Sequence, residues 1–309
     1  MLGTLKGFVT RHYTDKAARE ALNWLDAHQQ HFRISADSKQ DIPWRIKPII
    51  ELTFLLTSLK RNGVQDRALD RLSQFALAEA ATFDWHQLAS FDPSAATPLA
   101  LIADFFALEN QPPPFEMAYF DYLRQIEFFE GMDRVPYREM DLIYCYDCIG
   151  IPDPQRRMQG LFDSTAFGRR QIPARYTIND LYSLTHAIFY LTSVGQHSAA
   201  KHLDADTLAR LNRELVSLTA LMMRGDNVDV LGELLMCWYF CGIVPTEFER
   251  TIFTAGLERV LGSITPDGAI ASTRRLKKRS ETGEATFSEL YHTTLVASLL
   301  FSLVAKRKL

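Results

Sequence analysis

His186, Cys237 and His292 are side chains with metal-ligand chemistry, and each lies inside an apolar helical run: YSLTHAIFYL, GELLMCWYF and ELYHTTLVASLL. A thiolate and two imidazoles suit tetrahedral Zn²⁺, with the fourth position left open for water or substrate, or closed by Glu233. Glu233 stands one helical turn before Cys237 and shares its face. The same residues suit metal-free acid/base work, with His186 and His292 assisted by Asp180, Glu233 or Tyr182, because imidazole titrates near neutral pH. Arg138, Asp141, Tyr176, Asp229 and Tyr291 sit near the starts of helical segments and are read as substrate-binding residues. A plainer role competes for Asp180, Asp226, Asn227 and Ser288, since these types cap helices at about 1 kcal/mol each. For a buried His or Cys, the plain alternative is a hydrogen bond to a neighbour or simple packing.

Positioning these residues is work for helices, because strand signals are nearly absent apart from a short turn at Pro266, Asp267 and Gly268. The first helix is expected from Thr14 and Asp15, with Ala18, Leu22, Leu25 and Phe32 on its buried stripe. Pro43 opens a second that Gly63 closes after Lys60 and Arg61. Further helices are expected over 64–81, 98–108, 115–130, 136–149, 154–163, 178–195, 206–224, 228–241, 247–263 and 287–306. Trp85 falls in a turn, and the prolines at 112 to 114 form a break. Alternate members differ in character: 206–224 is amphipathic, whereas 228–241 and 287–306 are apolar nearly all round. The expected fold is therefore all-α, one domain over 1–309, with about six helical hairpins forming an outer and an inner layer as an (α/α)6 toroid or incomplete α/α barrel.

This order of helix pairs, with the turn TPDGAI between the last two, resembles the α/α toroids: terpene cyclases, protein prenyltransferase β subunits and lanthipeptide cyclases. The acidic residue, cysteine and later histidine at Glu233, Cys237 and His292 are similar in order to the prenyltransferase zinc ligands. The resemblance implies a pocket where the inner helices begin. There, free backbone N–H groups and helix dipoles favour anions and polar substrates.

Composition removes several function classes. The chain has 34 Lys and Arg against 37 Asp and Glu, so no basic field draws it to nucleic acid. No transmembrane span or secretory signal is expected, which makes a cytoplasmic location the default. Phosphate-cradling glycine loops and a G-x-S-x-G elbow are missing, so neither a nucleotide cofactor nor a serine nucleophile is expected. Cys145 and Cys148 form a C-x-x-C within a helical run, where two small buried hydrophobes explain them as well as metal or redox chemistry. The basic stretch Arg274, Arg275, Lys277, Lys278, Arg279 reads as solvated loop; its functional alternative is a mobile lid or clamp for an anionic peptide, phosphate or carrier protein. Two functions remain. One is an enzyme of specialised metabolism or peptide modification acting on a small molecule or peptide by hydrolysis, addition or group transfer. The other is a non-catalytic helical scaffold binding a peptide or protein in its concave mouth.

Overall fold

The computed structural model describes residues 2–35, 41–151, 157–242 and 244–306, and the side chains within them from His12 onward except that of Phe91. Among these residues are fourteen α-helices and no strand: α1 (Leu2–Ala27), α2 (Ile42–Arg61), α3 (Arg67–Ala80), α4 (Trp85–Phe91), α5 (Ala96–Leu108), α6 (Met117–Gln125), α7 (Pro136–Cys148), α8 (Met158–Asp163), α9 (Ile178–Leu191), α10 (Ala205–Met222), α11 (Val228–Phe240), α12 (Glu247–Leu261), α13 (Arg274–Glu281) and α14 (Phe287–Lys306).

Local chemistry accounts for most boundaries. Pro43 lies in the first turn of α2, and Gly63 follows its end at φ +70°, a conformation glycine adopts without strain. Thr177 with Asp180, and Thr246 with Glu249, form reciprocal capping boxes at the starts of α9 and α12. Asn227 caps α11 by accepting from the Val230 N–H at 3.1 Å. The turn before α13 is closed by a lone bridge between Ile264 and Ile270. Gly268 there has φ +99°, and a Cβ would lie 3.1 Å from the Glu20 carbonyl oxygen, so the turn seats directly on α1. Trp24 fixes the same turn by donating to Asp267 at 2.8 Å.

Several expectations are corrected. α1 starts at Leu2 rather than at Thr14, and Thr14 is buried inside the helix instead of capping it. Trp85 begins a short helix, α4, whose N-cap Asp84 accepts from the Gln87 N–H. The basic stretch is helical, not loop. Thr273 caps α13, the Asp226 carboxylate accepts from the Arg274 N–H at 3.0 Å, and Leu276 buries its one apolar side chain. Asp226 thus serves α13 rather than α11. The expected helix start at Pro154 lies outside the described residues.

Packing follows one order. α2 contacts α5, α5 contacts α7, α7 contacts α9, α9 contacts α11, α11 contacts α14, and α14 contacts α2 again. Against these lie α1 and α3 beside α14 and α2, α8 beside α7 and α9, and α10 and α12 beside α11. Burial matches the sequence contrast. Every residue of α11 is buried, whereas α10 buries only one stripe, including Leu211, Leu215 and Leu218. α14 is long and apolar enough to cross a membrane, but 72% of its most apolar window is buried within this fold. α11 and α14 approach closely at Gly232, where a Cβ would sit 3.3 Å from Val296 Cγ1. That approach brings Asp229 and Glu233, on either side of Gly232, up to His292.

Candidate functional site

A cavity of about 740 Å³ is lined by residues of α2, α5, α7, α9, α11 and α14, closed at one side by α4 and the segment before α7. Its volume suits a drug-sized or amino-acid-sized organic ligand. Most of its wall is apolar, including Ile46, Ile50, Phe54, Leu101, Met236 and Leu299. Its acidic and basic side chains are Lys47, Glu51, His186, Glu233 and His292 from α2, α9, α11 and α14, Arg138 and Asp141 from α7, and Asp92, Asp133 and Arg134 from the segments before α5 and α7.

His292 stands between two carboxylates. Its Nδ1 lies 3.2 Å from Glu51 Oε2, and its Nε2 lies 3.6 Å from Asp229 Oδ2. Burial opposes a charge on His292, yet the contacts with Asp229 and Glu51 outweigh it and hold the imidazole well above its ordinary range. Burial likewise opposes ionisation of Asp229 and Glu51, and contact with His292 keeps both below the usual carboxylate range. Tyr182 donates its hydroxyl to Asp229 Oδ2 at 2.8 Å. Burial, then the Asp229 charge, raises that phenol and keeps it a donor.

Glu233 is the second buried carboxylate of α11. Thr185 donates to its Oε2 at 2.5 Å, and His186 Nε2 lies 3.4 Å from its Oε1. Ligand atoms of Asp229, Glu233 and His292 all fall within 4.8 Å of one another. Asp229 Oδ1 and His186 Nδ1 of this cluster have no hydrogen-bond partner among the described residues, while Glu51 Oε2 and His292 Nδ1 meet each other in the 3.2 Å ion pair. Buried polar atoms normally find partners, and those that do not cluster at functional sites or await a ligand.

Of the residues singled out from sequence, His186, His292, Glu233, Asp229 and Tyr182 come together here. Arg138 and Asp141 pair at 3.3 Å on α7, where burial raises the Asp141 carboxyl against the pull of Arg138. Tyr291 packs on Phe287 with its ring centroid 5.1 Å away, beside Glu51. Others fall elsewhere. Asp180 is occupied in its capping box, accepting from the Thr177 N–H at 2.9 Å, and Tyr176 donates to Glu214 of α10. Cys237 is not among the residues whose ligand atoms cluster here: its thiol faces the Thr185 carbonyl at 3.9 Å, and burial raises it well above the usual thiol range. A metal-binding cysteine needs the thiolate, which that setting disfavours. Cys145 points at Asp141, 3.7 Å away, and all four cysteines are free.

Glu51 and Thr185 are the contributors that sequence reasoning passed over. Glu51 is a lone acid in the apolar run IKPIIELTFLL, which is the signal that singles out Glu233 in its own helix.

Residues 18–301 match the family described as Domain of unknown function (DUF6895), and the chain belongs to that family. None of the curated proteins and none of the solved structures matches the chain.

Proposed function

We propose that this chain is an (α/α)6 toroid enzyme of specialised metabolism or peptide modification, with α2, α5, α7, α9, α11 and α14 as its inner helices. The substrate is a small molecule or peptide side chain with an apolar body, and the reaction is polar chemistry of the hydrolysis, addition or group-transfer type. The observation that carries this reading is the cavity itself, mostly apolar in its lining yet carrying Glu51, His186, Glu233 and His292 together with Arg138 and Asp141. His186 stands where it can exchange a proton with a bound group while Glu233 fixes its ring, and Arg138 reaches the cavity from α7 to meet an anionic substituent. A peptide scaffold would carry its recognition groups on an outer concave rim. Here they are gathered inside, which favours catalysis.

The test is incubation of the purified full chain with a mixed library of small esters, amides and peptides, followed by mass spectrometry. A product that forms with the wild type and not with Glu233→Gln or His186→Ala supports the enzyme. A ligand that occupies the cavity, is excluded by Leu101→Trp, and is recovered unchanged from the wild type contradicts it.

A further inference from the structure

Three side chains of α11 and α14, of which Glu233 and His292 line the cavity, share a pattern: each is held on one atom by a neighbouring helix. Glu51 of α2 contacts His292 at Nδ1, which leaves Nε2 facing Asp229 Oδ2 at 3.6 Å. Tyr182 of α9 takes Asp229 Oδ2, which leaves Oδ1, a buried atom with no hydrogen-bond partner among the described residues. Thr185 of α9 takes Glu233 Oε2, which leaves Oε1 with only the long contact to His186. The three residues present ligand atoms within 4.8 Å of one another. We propose that Asp229, Glu233 and His292 bind one divalent first-row transition-metal ion, Zn²⁺ or Mn²⁺, and that Glu51, Tyr182 and Thr185 orient these ligands from behind.

The chemistry fits. Three protein ligands from imidazole and carboxylate leave coordination positions open, as in sites where a metal activates water or polarises a substrate oxygen. A carboxylate on the far nitrogen of a ligating histidine fixes the ring and raises its basicity, which is the place Glu51 occupies. Charge agrees as well. Glu51, Asp229 and Glu233 face Lys47, 3.7 Å from Glu51, and a protonated His292, two cations for three carboxylates, and a divalent ion in place of the imidazole proton balances them. Closing from the present spacing to bonds of about 2.0–2.2 Å needs side-chain rotations on helices already in contact.

The inference rests on the cavity proposed above as the active site, and its readout is separate from turnover. The full chain is stripped with EDTA, dialysed, and titrated with ZnCl₂ and with MnCl₂ by calorimetry, with bound metal counted by mass spectrometry. One equivalent is expected. Asp229→Asn, Glu233→Gln and His292→Gln are expected to weaken binding at least 100-fold. Glu51→Gln is expected to weaken it about 10- to 100-fold, as removal of an orienting partner does. Cys237→Ser is expected to leave it unchanged, and a far-ultraviolet melt shows which variants are folded. The proposal is overturned if the wild type binds neither ion, if binding survives His292→Gln, or if it is lost in folded Cys237→Ser. A chain that holds the metal but transforms nothing keeps this site and loses the enzyme; turnover that persists in metal-free protein does the reverse.

Discussion

Two polar clusters lie among the same helices and are finished in opposite ways. Where α2, α5 and α7 end, Arg61 donates to Asp104 at 2.5 Å and reaches Cys148 at 3.8 Å, while Lys60 pairs with Glu109. No buried atom of Arg61 or Asp104 lacks a partner among the described residues. At the cavity, by contrast, Glu51 and Asp229 flank His292, Glu233 faces His186, and the buried Asp229 Oδ1 and His186 Nδ1 go unbonded among the described residues. A satisfied buried pair serves the fold and resists removal of either member. An unsatisfied one is retained at a cost to stability, and proteins keep such arrangements where function needs them.

The sharpest way to break this comparison is to delete one member from each cluster. Arg61→Ala leaves the buried Asp104 carboxylate alone, and denaturant unfolding should show a loss of about 3 kcal/mol with zinc affinity unchanged. Glu233→Gln should do the opposite. In metal-free protein it should leave stability level or raise it by up to about 1 kcal/mol, by relieving like charges, while abolishing metal binding. An equal loss of stability in both variants would make the cavity cluster structural.

Smaller effects test how the cluster is positioned. Gly232→Val should crowd Val296 across the α11–α14 contact and cost about 1–3 kcal/mol in a thermal melt, and Val296→Ala in the same chain should restore much of it. Failure of that rescue would mean that the contact does not set the spacing. The smallest effect belongs to the periphery. Glu289, held by Arg279 and the Thr286 N–H, is lowered to about 2, so its stabilisation is complete above the ordinary glutamate range and is lost as pH falls toward that value. Glu289→Gln should therefore lower the melting temperature slightly at pH 7, and by progressively less as pH falls toward and below about 2.

The helices were largely legible because their signals are local. Thr177 and Asp180 carry a capping box, Gly63 and Gly268 mark turns, and the unbroken apolar character of Val228–Phe240 announces burial on all sides. The basic 274–279 stretch misled because its charge outweighed the cap at Thr273 and the tie to Asp226, which comes from 48 residues away. The site was half legible. Periodicity correctly put Glu233 and Cys237 on one face, and both meet Thr185. It did not say that Cys237, four residues and about 6 Å further along the axis, faces a carbonyl rather than the cavity. Glu51 was passed over because a single acid in an apolar run reads as an interruption until the helix that packs on it, α14, is known.

Anomalous diffraction at the zinc edge from crystals soaked in ZnCl₂ tests the central claim most directly. The account predicts one strong peak within about 2.2 Å of ligand atoms from Asp229, Glu233 and His292, with Glu51 behind the imidazole. A peak on Cys237, or zinc confined to surface histidines with the three residues still in mutual contact, would contradict it.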